Sequence, residues 1–297
     1  MRIGRAAGGM RRVGRGGSGG ARVLIAVAIA LFALVRHYSR TEVNPVTGEK
    51  QRVALSTSQE VALGVQAAPR MAAKMGGVVP DADAQAALVD ELGARLVQAS
   101  GADRSPYRFE FHLLGDDRTV NAFALPGGQV FVTRALFDRM ENEAQLAGVI
   151  GHEIGHVIHR HGAEHLATAE LAGALSTAVG VGAADEGSSG MMARAAAQMA
   201  AKMLTLRYGR ADELESDAFG LEALVQAGYD PAQMLGVMRV LAEAGGGRGR
   251  GTEFLSTHPH PESRVEQIRA FLARRFPEQG PSGLRTGREL PGARRQR

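Results

Sequence analysis

Residues 151–165 read GHEIGHVIHRHGAEH, which puts five of the chain's nine histidines within fourteen residues. On a helix, at roughly 100° per residue, His152 and His156 stand about 40° apart, so both imidazoles reach toward one point. Ile150, Ile154 and Val157 fall on the opposite side and supply a core-facing stripe. Gly148, Gly151 and Gly155 form a third stripe beside the histidines. Each glycine costs about 1 kcal/mol relative to alanine in a helix interior, so the stripe predicts another backbone, of a substrate or a strand, lying close against it. Asn142 with Gln145 is suited to open this helix and Gly162 to close it.

Glu153 completes the pattern H-E-x-x-H: two neutral imidazoles for a zinc ion, and a carboxylate that can take a proton from zinc-bound water. A chance match on a histidine-rich helix is the competing reading, and a third ligand decides between them. The longer arrangement H-E-x-x-H-x-x-G-x-x-H fails here, because His159 and Gly162 stand where its glycine and last histidine belong. The other solution takes a glutamate from a later helix, with an acid one turn on to orient a ligand histidine. Residues 210–220, RADELESDAFG, offer Glu213 and Asp217 on one helical face, with Glu215 about 200° away. By itself such a pair reads as a solvated acidic face; its place downstream of H-E-x-x-H favours the metal reading.

The chain has no cysteine, which excludes disulfides, a thiol nucleophile, a thiolate zinc site and a lipid attached through cysteine. Any metal site must use imidazole and carboxylate. With 297 residues, 44% of them hydrophobic, the chain can bury one sizeable domain with appendages. The net charge of +4 is concentrated at the ends: six arginines and no acid in residues 1–22, five arginines and one glutamate in 285–297. Disorder is expected over 1–20 and 279–297.

A nucleic-acid arm is set aside, and no nucleic-acid partner is expected, because the basic N-terminus abuts the apolar run ARVLIAVAIALFALV at 21–35. As a helix that run spans about 22 Å, short of the roughly 30 Å hydrocarbon core. Length favours a secretory segment, but no small-x-small site follows the run, and the one at Ala28 to Ala30 falls inside it. Arg22 and Arg36 can snorkel and extend the span. The preferred expectation is an uncleaved signal anchor over 21–37, with the N-terminus cytoplasmic and the rest extracytoplasmic. A cleaved signal peptide and a secreted protein is the alternative.

Residues 38–58 read as a polar linker leading into a domain over 59–278. Helical spacing covers SQEVALGVQAAPRMAAKMGG and DADAQAALVDELGARLVQAS, the latter with the stripe Leu88, Leu92 and Leu96. Alternation of Phe109, Phe111 and Leu113 predicts a strand with His112 facing away from the core, and VNAFALPGGQVFVTRALF reads as strand, turn, strand and helix start. Further helices are expected at 142–161, 163–206 with a loop at DEGSSG, 211–227, 231–243 and from about Glu262. GGGRGRG is expected to be a flexible loop.

Four ordered motifs, NAFALPGGQVFVTRAL, GHEIGHVIHRH, RADELESDAFG and STHPHPESR, give the chain a resemblance, over about residues 55–275, to the HtpX/BepA/LoiP-like branch of the gluzincin metallopeptidases. That family also includes the CAAX prenyl endopeptidases. The resemblance implies an α+β fold: a mostly helical zincin domain whose small sheet borders the active site with an edge strand. It implies one Zn2+ held by His152, His156 and Glu213, Glu153 as general base and later acid, and Asp217 as acceptor from a ligand histidine. Asn121, Ala122, Phe123 and Ala124 would lie on the strand that receives an extended peptide, and His258 and Arg264 would stand near the metal. His258, between the glycine-rich loop and Pro259, would donate to the oxyanion, take the fourth position on zinc, or merely hydrogen-bond within its loop. The implied partners are protein or peptide substrates and a membrane, and the implied role is quality control of misfolded envelope proteins.

Gly209 and Ser216 depart from the family's usual serine and alanine without touching the ligand set. No multi-span portion and no following helical repeat domain is expected. His159 reads as a bystander too far along the helix axis to share the ion, and His161 and His165 as helix-end charges. A non-catalytic scaffold and an amidase acting on cell-wall peptides are the rival functions.

Overall fold

The computed structural model describes residues 18–183, 208–245, 253–258, 261–277 and 281–291. The loop expected at DEGSSG, that at GGGRGRG beyond Gly245, and residues 1–17 of the disorder expected over 1–20 lie outside the described residues; residues 18–20 of that stretch are helical, because the helix of the apolar run extends back to Ser18. The described chain is mostly helical. In order come α1 (Ser18–Ser39), a short hairpin of β1 (Thr41–Val43) and β2 (Lys50–Arg52), α2 (Thr57–Lys74), α3 (Ala84–Ser100), β3 (Glu110–Leu114), β4 (Ala122–Leu125) and β5 (Gln129–Thr133). They are followed by α4 (Arg134–Phe137), α5 (Glu143–Ile158), α6 (His161–Ala183), α7 (Arg210–Gln226), α8 (Gln233–Gly245), α9 (Glu253–Thr257) and α10 (Pro261–Arg275).

All sixteen residues of α5 are buried, and the domain is built around it. Helices α3, α7 and α8 and the sheet surround it. The stripe Leu88, Leu92 and Leu96 of α3 is buried against this core. Asp83 caps α3 by accepting from the Gln85 and Ala86 amides, and Ser56 with Gln59 forms a capping box at the start of α2. Asn142 caps α5 by accepting from the Gln145 amide. The sheet has the order β3-β5-β4: β3 runs parallel to β5 with Phe111 opposite Val130, and β4 pairs antiparallel with Phe123 opposite Phe131. The turn at Pro126-Gly127-Gly128 uses left-handed glycines, φ 85° and 111°, that press on the Val61 and Arg108 backbones, where a side chain would not fit. His112 is half-buried: it stacks on Phe131 and bonds to Gln129.

Several expectations change. The linker expected over 38–58 contains the β1–β2 hairpin, anchored by a buried Asn44 whose amide donates to Gln51 Oε1 (2.9 Å) and to the Ile158 carbonyl (2.8 Å). The disorder expected from residue 279 does not hold for 281–291: Glu143 N donates to the Arg288 carbonyl, Leu290 N donates to the Glu141 carbonyl, and Leu290 is buried. Basic residues in this segment find acids on the domain, Arg288 meeting both Glu143 and Glu91. Composition alone reads such a segment as disordered because it carries no apolar period. The apolar run is longer as a helix than as a sequence: α1 has 22 residues, about 33 Å of rise, enough to cross a bilayer. Its apolar side chains, including Leu24, Leu31 and Phe32, are exposed, and it lies beside α6 with Arg40 paired to Glu170 at 3.1 Å.

Candidate active site

Two glycines of the α5 stripe, Gly151 and Gly155, face the α7 backbone, while Gly148 faces the Met234 side chain of α8. A Cβ on Gly155 would sit 2.9 Å from Ser216 Cα, one on Gly151 would sit 3.2 Å from Gly220 Cα, and one on Gly220 would meet the His152 amide at 3.0 Å. The expectation of a substrate or strand against this stripe is therefore corrected: the neighbouring backbone is the chain's own helix. Two helices stripped of side chains on their contact faces approach closely, and that approach carries Glu213 of α7 up to His152 and His156 of α5.

The three side chains, with His258, turn their donor atoms toward one buried point. His152 Nε2 and His156 Nε2 are 3.0 Å apart, and they lie 3.6 and 3.5 Å from the Glu213 carboxylate oxygens. His258 Nδ1 is 3.3 Å from His152 Nε2 and 2.9 Å from Glu213 Oε1. Ligands at zinc's usual distances of about 2.0–2.1 Å in a tetrahedron stand roughly 3.3 Å from one another. The donor set therefore fits a zinc-sized ion, and His258 Nδ1 would be its fourth donor. Two imidazole nitrogens facing each other over a carboxylate hold at most one shared proton per contact; an ion satisfies all of them together.

The outer partners orient these groups. Asp217, one turn after Glu213, meets His152 Nδ1 at 2.9 Å, which leaves Nε2 free to face the site. Arg264 of α10 binds both Asp217 oxygens at 2.7 Å and reaches Glu213 at 3.0 Å. Burial would raise both carboxyls, but Arg264 and His152 hold Asp217 below the usual range, and His258 and His156 hold Glu213 far below it. Burial keeps His156 neutral, as a metal ligand must be. His258 is driven the other way, its burial outweighed by Glu213 and Glu153. Tyr208 stacks on the His156 ring at 4.0 Å, and burial beside Glu153 keeps its phenol protonated.

Glu153 is buried, its Oε1 has no hydrogen-bond partner, and the same oxygen lies 3.7 Å from His258 Nε2. A desolvated carboxylate oxygen beside a metal-sized cluster is what a proton-accepting base requires. Strand β4 forms one edge of the sheet, with Phe123 and Ala124 half-exposed and Ala122 buried. The Asn121 amide and carbonyl are both tied to Thr133, while its Oδ1 is buried without a partner. A narrow crevice bounded by Ala124, Leu125 and Pro126 on the strand side opens beside His156 and Tyr208.

Sequence reading missed His161. Helix α5 does not continue to Gly162: it ends at Ile158, and Arg160 adopts a left-handed conformation (φ 57°), the single non-glycine residue at positive φ among the described residues. A buried ion pair holds it there, Arg160 Nε donating to Glu60 at 2.9 Å and Nη1 to Glu42 at 3.0 Å. The break swings His161 back beneath His156, Nδ1 to Nδ1 at 2.9 Å. With its Nε2 given to a metal, His156 would carry its proton on Nδ1 and donate it to His161. His161 would then carry its own proton on Nε2, which lies 3.1 Å from Glu215. That bond leads the causes lowering the Glu215 carboxyl. On an unbroken helix residue 161 stands about 140° from residue 156, and no local pattern signals the contact.

A family model described as Peptidase family M48 matches residues 83–272. The β-barrel assembly-enhancing protease of Yersinia pestis is 32% identical over 231 residues, covering 76% of this chain and 46% of that protein. The protein of the same name from Escherichia coli strain K12 is 33% identical over 185 residues, 61% of this chain and 37% of that one. The mitochondrial metalloendopeptidase OMA1 of Schizosaccharomyces pombe is 29% identical over 239 residues, 80% of this chain and 68% of that one. The matched region thus spans less than half the length of the two β-barrel assembly-enhancing proteases.

Proposed function

Because the chain belongs to peptidase family M48, we propose that it is a zinc-dependent endopeptidase that hydrolyses peptide bonds of proteins, with His152, His156 and Glu213 as metal ligands and Glu153 as the proton carrier. The observation that carries this reading is the donor set: nitrogen and carboxylate atoms 2.9–3.6 Å apart around one buried point, with an unpartnered Glu153 oxygen close by. When bound, the ion supplies Lewis-acid polarisation of the scissile carbonyl and acidifies water. The chain's residues do the rest. Glu153 accepts the proton of the attacking water and delivers it to the leaving amine. Asp217, itself clamped by Arg264, fixes the His152 tautomer, and His161 with Glu215 does the same for His156. The edge at Phe123 and Ala124, unpaired among the described residues and continued back to the buried Ala122 and Asn121, would take substrate in extended form.

His258 Nδ1 lies among the ligand atoms and its Nε2 faces Glu153, which supports a self-blocking role in which His258 must withdraw before water and substrate enter. The apolar, exposed α1 following an arginine-rich segment supports a membrane anchor with the catalytic domain extracytoplasmic. Taken with the name β-barrel assembly-enhancing protease that the bacterial relatives share, it makes envelope proteins the proposed substrates. A casein-type proteolysis assay on purified full chain in detergent tests the reading. Turnover is expected to disappear with a chelator, return with zinc, and fall to near background in Glu153→Gln, which keeps the shape of the site but removes the base. Glu153→Gln cleaving at the wild-type rate would refute the mechanism.

A further inference from the structure

The break at Arg160 has a second effect. It brings His159 and His161, two residues apart, to the same side of the chain, their rings stacked at 5.5 Å with planes 14° apart. Residues so spaced on a continuous helix point about 200° apart. Glu215 of α7 lies opposite both: its Oε2 is 3.1 Å from His161 Nε2 and 3.6 Å from His159 Nδ1. His159 Nδ1 is buried and has no hydrogen-bond partner, whereas Glu215 is 48% exposed. The cluster therefore joins two imidazole nitrogens and a carboxylate, with the His159 nitrogen buried and the carboxylate open to solvent. Its three ligand atoms all lie within 4.8 Å of one another.

We propose that His159 Nδ1, His161 Nε2 and Glu215 Oε2 form a second site for a zinc-class divalent cation, and that filling it inhibits the catalytic centre through the His161–His156 contact. Imidazole donors with the carboxylate 3.1 and 3.6 Å away, near the roughly 3.3 Å edge of a zinc tetrahedron, suit zinc better than magnesium or calcium, which prefer all-oxygen shells. Three ligands and an open side make it the weaker of the two sites.

The inhibition follows from tautomers. A cation on His161 Nε2 needs that nitrogen's lone pair, so the neutral ring must carry its proton on Nδ1. His156, with Nε2 committed to the catalytic site, also carries its proton on Nδ1. Two N–H groups 2.9 Å apart cannot hydrogen-bond, and His156 loses its acceptor. The change is a tautomeric shift with no net proton gained or lost. Losing an outer partner of a ligand histidine typically costs 10- to 100-fold in metal affinity or activity, and roughly that loss is expected here. The existence of the second site does not depend on the catalytic assignment; the inhibitory coupling rests on it.

The test is a zinc titration of chelator-stripped full chain in detergent, followed by calorimetry and by metal analysis after gel filtration. Turnover on casein is measured in parallel. Two ions per chain are expected, a tight one and a weaker one, with turnover rising as the first binds and falling about 10-fold or more as the second binds. His159→Ala is expected to lose only the weaker event, keep basal turnover and resist excess zinc. Glu215→Gln, which keeps an acceptor for His161 but weakens cation binding, is expected to lose the weaker event as well. One ion per wild-type chain at saturating zinc, or two ions retained in both variants, would overturn the site. Two ions with undiminished turnover would overturn the coupling. Loss of the tight event in wild type with the weaker one intact would instead count against the catalytic centre and leave the second site standing.

Discussion

Gly155→Ala separates metal binding from folding more cleanly than any ligand substitution. Its Cβ would fall 2.9 Å from Ser216 Cα and 3.0 Å from the Ser216 carbonyl oxygen, and both neighbours are backbone, so no side chain can swing away. Ordinary van der Waals contact begins near 3.4 Å, so α5 and α7 must part by roughly 0.5 Å. Alanine gains about 1 kcal/mol of helix propensity over glycine, while overpacking a close interface costs about 1–3 kcal/mol, so net stability falls by no more than about 2 kcal/mol. Glu213 lies one turn before Ser216 and moves with it, whereas metal–ligand distances tolerate only about ±0.2 Å. Zinc affinity is therefore expected to fall roughly 10- to 100-fold, the scale seen when a ligand's support is disturbed. The assay is competition with a zinc chelator of known affinity, alongside thermal unfolding in excess chelator. Gly173→Ala on α6, where an added Cβ meets nothing within 4 Å, is the control and should leave affinity unchanged. Wild-type zinc affinity in a folded Gly155→Ala protein would refute the argument that this stripe sets the ligand geometry.

Glu213→Ala removes the one carboxylate among the donors and leaves three imidazoles facing an uncompensated Arg264 guanidinium, whose positive charge opposes a cation there, so zinc binding should weaken by orders of magnitude; full occupancy by metal analysis would remove Glu213 from the ligand set. His258→Ala vacates the fourth corner while three ligands remain: zinc affinity should stay within a few-fold and turnover should rise, and a fall in turnover would show that oxyanion stabilisation by His258 outweighs blocking. The full chain should fractionate with membranes and keep its N-terminus, and a soluble product whose N-terminal sequencing begins near residue 36 would replace the anchor by a cleaved signal peptide.

Much of the site was legible in residue order because its parts are local. The i, i+4 spacing of His152 with His156, and of Glu213 with Asp217, fixes which side chains share a face wherever the helices pack, and the structure brings those four residues together. Hydrophobic period likewise foretold the Leu88, Leu92, Leu96 stripe, and the Pro-Gly-Gly turn foretold the two strands it joins. The family motifs pointed to His258 and Arg264, although nothing in their own spacing does. Other features were decided only by tertiary structure. That the glycine stripe receives α7 rather than a peptide depends on a helix some sixty residues away along the chain. The contacts of residues 281–291 depend on acids of α3 and α5 that no local pattern connects to them. The positions of His159 and His161 turn on a single backbone angle at Arg160, held left-handed by its buried pairing with Glu60 a hundred residues earlier. Periodicity says which side of an element a residue lies on; which elements meet, and where a helix is made to break, is set by packing and by buried charge pairs between distant parts of the chain.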